Sequence, residues 1–327
     1  MTLDGKTMLV TGGTGSFGRR FIARVLAEYE VEAVRVFSRD ELKQWELQQQ
    51  YPNENRLRFL LGDVRDLDRL RRAFRGVDIV VHAAALKQVP ACEYNPFEAV
   101  QTNVIGSENV IRAALDTGVE RVLAISSDKA VAPANLYGAT KLCAEKLFSR
   151  GNAYSGNLPT RFACVRYGNV AGSSGSVIPL FRGQAEEGTL TITDPRATRF
   201  FITVDQAVDF VISCIEEMRG GEVSIPKLPS VKVVDVAEAI APGIPTRVIG
   251  MRPGEKLHEV LVAKEEARHA LELEDRYLIL PEEPSWSLLR EWPPAKKVPE
   301  DFQYSSDTNT AWLNVEEIRR LVESVPG

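Results

Sequence analysis

Apolar residues fall along the first half of the chain in two alternating rhythms. Short runs rich in β-branched and aromatic residues, Thr7–Thr11, 31–37, Leu57–Leu61, 78–81, 122–125 and 162–167, have the length and unbroken apolarity of strands buried on both faces of a parallel sheet. Between them lie segments of helical spacing. Phe21, Ile22, Val25 and Leu26 form one stripe, 98–117 reads as a long helix, and the stretch from Tyr137 continues as another through Leu142, Glu145, Lys146 and Phe148. Strand and helix alternate throughout, as a doubly wound parallel α/β sheet requires.

Past residue 167 the rhythm changes. Residues 168–175 form a Gly, Ser and Asn loop, and the later elements are shorter and split by prolines at 179, 195, 226, 229, 242, 245 and 253. Residues 204–218 read as an amphipathic helix, and Asn314 with Glu317 offers an amino-terminal cap for a last helix over 315–322. The expected architecture is a Rossmann-like doubly wound parallel sheet over 1–170, with 200–220 returning to it. A smaller carboxyl-terminal α/β lobe of 171–199 and 221–327 completes the expected architecture.

A length of 327 residues suits one large and one small lobe, and 44% hydrophobic residues suffice for a core. The formal charge of −5 argues against a nucleic-acid or anionic-membrane surface, and the cluster Arg69, Arg71, Arg72 and Arg75 reads as a solvated helix face. Cys92, Cys143, Cys164 and Cys214 lack C-x-x-C spacing, so no zinc or redox site is expected. Asp4 and Lys6 interrupt the start, which therefore does not read as a secretory leader, and the longest apolar stretch, 79–86, is too short to span a bilayer. A reduced, cytoplasmic protein without a metal site is the expectation.

Candidate chemistry gathers at strand ends. After the first strand comes Gly12-Gly13-Thr14-Gly15-Ser16-Phe17-Gly18, then a helix. Glycines at that junction let backbone amides approach a pyrophosphate, which the helix amino terminus favours electrostatically. About 20 residues further on, where a carboxylate would select NAD and an arginine NADP, stand Ser38 and Arg39, although Asp40 follows. We read NADP. Asp63 suits either the adenine edge or an amino-terminal helix cap, small residues from Ala83 would let a nicotinamide ribose pass, and His82 reads as an interior histidine.

The stretch 126–141 carries the reactive groups. Tyr137 and Lys141, four apart on a helix, share a face, and an ammonium beside a phenol of reference pKa ~10 favours the phenolate. Asp128 and Lys129 add a second acid/base pair just past a strand's carboxyl end, which simple alcohol oxidation does not need.

Together these residues resemble the extended short-chain dehydrogenase/reductases of the nucleotide-sugar branch, in TGGTGSFG, YGATK and RYGNV. More closely, SRDELKQ, GDVRD, AALK-x-VP, SSDKA-x-x-P-x-NLYGATKL, TRF-x-IT, RPGEKLHE and YSSD-x-N run in the order of the inverting UDP-N-acetylglucosamine 4,6-dehydratases that begin pseudaminic acid synthesis. The resemblance implies that Tyr137, helped by Lys141, takes the proton of the sugar's 4-hydroxyl while hydride passes to NADP. A neutral Lys129, its pKa depressed by burial or nearby positive charge, takes the carbon 5 proton. Asp128 assists loss of the 6-hydroxyl, and Ser127 joins the cluster. The cofactor is expected to stay bound, held by Gly12, Thr14, Gly15, Ser16, Phe17, Gly18, Ser38, Arg39, Lys43, Asp63, Val64, Ala83, Lys87, Tyr137, Lys141 and Val170. Lys87, Asn169, Arg199 and Arg252 are assigned to the UDP-sugar, with an inter-lobe salt bridge the alternative for the two arginines. Gln88 and Ser174 replace a His and an Arg usual in the family, which leaves a related nucleotide sugar open. A homo-oligomer through 98–117 and 137–150 is also implied. The competing readings are a UDP-sugar 4-epimerase, which has no use for Asp128 and Lys129, and a silent NADP-binding sensor, which would not need Tyr137 and Lys141.

Overall fold

The computed structural model describes residues 2–172, 177–282, 292 and 295–323. Six strands, β1 (Thr7–Thr11), β2 (Ala33–Ser38), β3 (Leu57–Leu61), β4 (Ile79–His82), β5 (Arg121–Ile125) and β6 (Arg161–Val165), lie parallel in the spatial order β3-β2-β1-β4-β5-β6. Every residue of β1 and β4 is buried, which is why both read as continuous apolar runs rather than alternating ones. The strand order reverses between β1 and β4. Such a switch leaves a crevice at the carboxyl ends, where open α/β sheets bind ligands.

The helix expected over 98–117 is three pieces, Pro96–Val100, a π turn Gln101–Ile105 and Gly106–Thr117. The wide turn aims Asn103 inward. Its carboxamide oxygen accepts from the Leu86 N–H at 2.8 Å, and its amide donates to Leu86 O at 2.9 Å and to Thr140 Oγ1 at 3.0 Å. Those bonds fix the loop after β4 and offset the disturbed helical ladder. Within the arginine cluster Arg71 pairs with Asp116 at 2.7 Å and Asp68 at 3.0 Å, while Arg72 and Arg75 are exposed, as a solvated helix face would have them.

The division expected from the sequence needs correction. Val223–Pro226 lies in the main sheet beside β6, and Arg276–Ile279, Ala270–Glu272 and Lys296–Lys297 extend that sheet to ten strands in antiparallel pairing. All four residues of Val223–Pro226 are buried, which only a sheet interior offers, and Pro226 closes the strand rather than excluding it. The second lobe's own small core is built from residues such as Phe181, Leu190, Ile192, Val231, Val236 and Ile318. The helix Val204–Glu217 has a capping box between Thr203 and Gln206, and packs on the helix Ser16–Glu28 of the first lobe. Arg24 joins the two helices through Asp205 at 3.1 Å and Asp209 at 2.8 Å. The final helix, Val315–Glu323, has the expected cap, with Asn314 accepting from the Glu317 N–H at 3.0 Å.

One buried cation ties the halves together. Arg166 is 1% exposed and binds Glu145 of the helix Leu136–Gly151 at 2.6 and 3.0 Å, Glu266 at 2.9 Å and Leu261 O at 2.8 Å. Burial alone would lower its pKa, but the two carboxylates outweigh it and hold the guanidinium charged. We expect Arg166→Leu to lose about 3–5 kcal/mol of stability in urea unfolding, because both carboxylates lose their partner inside the protein. A loss under about 1 kcal/mol would show that the network carries no weight.

Candidate functional site

The glycine turn shows three different uses of a missing side chain. Gly12 has φ +67°, and a Cβ there would come within 2.9 Å of Ala84 N, so the loop after β4 can pass directly beside it. A Cβ on Gly18 would lie 2.5 Å from Gly13 Cα, so the first helical turn packs on the loop it follows. At Gly15 a Cβ would meet only Gly12 O, at 3.3 Å, and would otherwise project into open space. That space is one end of a cleft of about 570 Å³ running over the carboxyl ends of the strands.

Every residue expected at the cofactor, from Gly12 to Val170, lines this cleft, as do Ser127, Asp128, Lys129 and Asn169. Within it Thr102 Oγ1, Ser126 Oγ, Asp128 Oδ2 and Asn169 Oδ1 are buried oxygens without a hydrogen-bond partner among the described residues. Buried polar atoms are rarely left so, and ligand hydroxyls and amides are the groups that fit them. A dinucleotide also suits the shape, because the amino terminus of Ser16–Glu28 opens onto the cleft at Gly15. Among the described residues there is no group of three or more His, Cys, Asp or Glu placed to hold a metal ion.

At the far end from the reactive groups, Asp40 is committed as the cap of Glu41–Gln50, accepting from the Lys43 N–H at 3.0 Å, and its carboxylate pairs with Lys43 Nζ at 3.1 Å. Arg39 Nη1 stands 3.6 Å from Asp63. Asp63 is not a helix cap. Asp66 does that work, accepting from the Arg69 N–H at 2.9 Å, while Asp63 accepts from the Arg65 backbone at 2.9 Å and side chain at 3.0 Å. Burial pushes the Asp63 pKa up, but the bonds and charge of Arg65 prevail and hold it below the usual value.

At the other end, β5 runs into a single 3₁₀ turn, Asp128–Ala130, and Asn135 caps the helix Leu136–Gly151 by accepting from the Gly138 N–H at 2.8 Å. Turn and helix touch. A Cβ on Gly138 would overlap the carbonyl oxygen of Lys129, so glycine is what lets Tyr137 sit beside the pair. Ser127 donates to Asp128 Oδ1 at 2.7 Å, and Lys129 Nζ reaches the same oxygen at 3.0 Å. Lys141 Nζ donates to Ile125 O at 2.6 Å, which anchors the helix to the end of β5.

The electrostatics bear on expectation at two residues. Burial raises the Tyr137 pKa above its ordinary value, and the opposing cation is Lys129 rather than Lys141, so the resting residue is a phenol. Burial also lowers the pKa of Lys141. Lys129 was expected to be neutral in its reactive form, beside the bound cofactor; the protein alone holds it charged. Burial favours the neutral amine, but the charges of Asp128 and Glu259 outweigh it and lift the lysine above its usual pKa. Glu259 escaped the sequence reading although RPGEKLHE ends on it. It is 3% exposed, and its Oε1 lies 3.5 Å from Lys129 Nζ.

The two arginines assigned to substrate do not line the cleft. Arg199 is buried, with Nη2 on Glu255 at 2.7 Å and Nη1 on Leu257 O at 3.0 Å, an ion pair within the second lobe rather than the inter-lobe bridge named as its alternative. Arg252 is exposed, and its backbone N–H donates to Glu255 at 3.2 Å. Lys87 does line the cleft, with burial lowering its pKa, and Gln88 lies beside it. Ser174 lies outside the described residues.

The sequence profile of the polysaccharide biosynthesis protein family matches residues 8–281. The chain belongs to that family, within the extended short-chain dehydrogenases/reductases. It is 45% identical over 332 residues to a UDP-N-acetylglucosamine 4,6-dehydratase (inverting) of Campylobacter jejuni subsp. jejuni serotype O:23/36 (strain 81-176), covering 99% of each chain. It is 39% identical over 325 residues to a UDP-glucose 4-epimerase of Rickettsia akari (strain Hartford), covering 97% of this chain and 95% of that one. Among solved structures, Pen from Bacillus thuringiensis superposes with a TM-score of 0.91 at 40% identity, over 99% of this chain and 98% of that one. In this family fold His82 is interior and outside the cleft, with Nδ1 2.8 Å from Thr11 Oγ1 and Nε2 3.3 Å from Ser107 Oγ.

Burial, with the charge of Lys141, drops the His82 pKa to about 3. The unfolded chain then binds a proton that the folded one refuses, so stability falls as pH drops through the unfolded value of about 6.5 toward about 3. We expect His82→Asn to flatten the acid side of a stability-versus-pH curve by up to about 1.4 kcal/mol per pH unit, and parallel curves would contradict a neutral buried imidazole.

Proposed function

We propose that the chain is an NADP-dependent nucleotide-sugar 4,6-dehydratase. Its substrate on this reading is UDP-N-acetylglucosamine and its product, inverted at carbon 5, UDP-2-acetamido-2,6-dideoxy-β-L-arabino-hexos-4-ulose. The observation that carries the reading is the pair of buried Asp128 and half-buried Lys129, 3.0 Å apart, in the same cleft as Tyr137 and the glycine turn. The relationship to the C. jejuni dehydratase supports the sugar, and Arg39 and Lys43 at the ribose end, with Asp40 committed to its cap, support NADP.

The dinucleotide, when bound, supplies a hydride acceptor at carbon 4 and a donor at carbon 6. Tyr137, at rest a phenol, must first release its proton to solvent, and the phenolate then takes the proton of the 4-hydroxyl, with Lys141 holding its helix against β5. The ketone so formed acidifies the carbon 5 proton. Because Lys129 rests as an ammonium, a proton passing from its Nζ to Asp128 primes both partners at once. The amine becomes the base for carbon 5 and the carboxyl the acid for the departing 6-hydroxyl. Net charge in the pocket is unchanged, so the shift avoids the cost of a new buried charge. Lys87 and Asn169 are proposed to contact the substrate, and Arg199 is proposed to act from behind the cleft, through Glu255 and Glu259.

The Rickettsia epimerase relative favours a second reading, 4-epimerisation, which uses Tyr137 and the dinucleotide but leaves Asp128 and Lys129 without work. An NMR time course with UDP-N-acetylglucosamine in heavy water and no added nicotinamide separates them. A 6-deoxy-4-keto product, inverted and deuterated at carbon 5, is expected. Unchanged sugar, or sugar altered only at carbon 4, would overturn the dehydratase reading. Tyr137→Phe is expected to slow the reaction by at least about 100-fold. By titration calorimetry, Arg39→Ala should weaken NADP by about tenfold or more and leave NAD nearly untouched; equal losses for both would remove the NADP assignment.

A further inference from the structure

Lys129 is held by a second carboxylate that the first lobe does not supply. Glu259 directly precedes the strand Val260–Val262, where its backbone N–H donates to Ser306 Oγ at 2.9 Å and its carbonyl accepts from the Ser306 N–H at 2.8 Å. With the backbone fixed on both sides, the side chain is directed inward. Oε1 lies 3.5 Å from Lys129 Nζ and 3.9 Å from Arg199 Nε, and Oε2 is buried without a hydrogen-bond partner. Asp128 reaches the same ammonium from the other side at 3.0 Å. We infer that Glu259 is a positioning residue for Lys129: its carboxylate anchors the amino group beside Asp128 and holds the proton that the pair shares.

The arrangement explains why one cation sits among so many charges. The groups facing Lys129 are Asp128, Tyr137 and Arg199 together with Glu259, and Lys256 faces Glu259 from the loop that carries it. A single carboxylate beside a half-buried lysine favours the charged amine, but only against the opposing pull of desolvation. A second anion 3.5 Å away favours the charged amine and keeps Nζ from turning out toward solvent, where 27% of the side chain is still exposed. Burial and the charge of Asp128 push the Glu259 pKa up, and Lys129, Arg199 and Lys256 oppose that rise and favour its carboxylate. Sequence position gives no hint of this link, since 130 residues separate Lys129 from Glu259.

The test is a direct titration of Lys129. With ζ-nitrogen-15 lysine in the whole chain, and Lys129→Met to assign the resonance, the ammonium signal is followed against pH in wild type and Glu259→Gln. We expect the variant's Nζ to lose its proton at least about one pH unit below wild type, because one of its two neighbouring anions is gone. Glu259→Asp, which keeps the charge but withdraws it, should move part of the way and keeps the inference testable if the amide variant does not fold. Coincident titrations in wild type and either variant would overturn it.

The consequence for turnover rests on the dehydratase reading, whereas the titration does not. Dehydration by Glu259→Gln should show kcat lowered at least about tenfold with KM within about twofold, since the anchor acts on the base and not on sugar affinity. Its alkaline limb should move down with the lysine, because the shared proton is lost earlier. A lowered kcat with an unmoved alkaline limb would mark a merely structural role and also overturn the inference. A wild type that titrates as expected but forms no product would fault the dehydratase reading alone.

Discussion

The arrangement of this protein turns on a steric constraint, the contact between the turn Asp128–Ala130 and the first turn of the helix Leu136–Gly151. No atom larger than hydrogen fits on the Gly138 α-carbon opposite the Lys129 carbonyl, so two segments with different chemistry are pressed together as a unit. The acid/base pair comes from the end of a strand and the phenol from the start of a helix. Lys141 then bonds Ile125 O, the last carbonyl of β5, so the same helix is fixed at a second point one turn further on. Sites built on rigid elements in this way hold their groups to fractions of an ångström, which proton transfer requires.

Burial sets the resting state of those groups, and it acts on each in a different direction. It keeps Tyr137 a phenol and makes Lys141 and Lys87 easier to deprotonate, yet it fails to neutralise Lys129, because two carboxylates share the lysine's pocket. The contrast follows from the partners rather than the depth. An ionisable group alone in apolar surroundings tends toward its neutral form, and one surrounded by opposite charge does not.

Much of the first lobe was legible because its signals are local. The strand runs, the glycine turn and the Tyr137–Lys141 spacing each depend on residues a few positions apart, and the periodicity of a doubly wound sheet is regular enough to place them. What escaped was carried by long-range contacts. Val223–Pro226 gives no local sign of joining β6, and the π turn at Gln101–Ile105 interrupts a helix whose apolar spacing reads as continuous. For Arg199 the sequence left a diphosphate contact and a salt bridge equally open, because its ion-pair partner Glu255 lies 56 residues further along the chain. The resting charge on Lys129 was not legible for the same reason: its second carboxylate lies far along the chain, and a single sequence does not report which charges meet.

The ten-stranded sheet has a consequence for how such a chain can be divided. Because Val223–Pro226 hydrogen-bonds alongside β6 and carries Arg276–Ile279 on its other edge, the backbone of the second half is woven into the first. Arg166 adds side-chain ties to Leu261 and Glu266 from the same strand end. A fragment ending near residue 170 would expose the edge of β6 as an unpaired row of amides and carbonyls, the kind of edge that templates aggregation. The first half is therefore not a transplantable module, and chimeras among relatives must splice surface loops rather than halves.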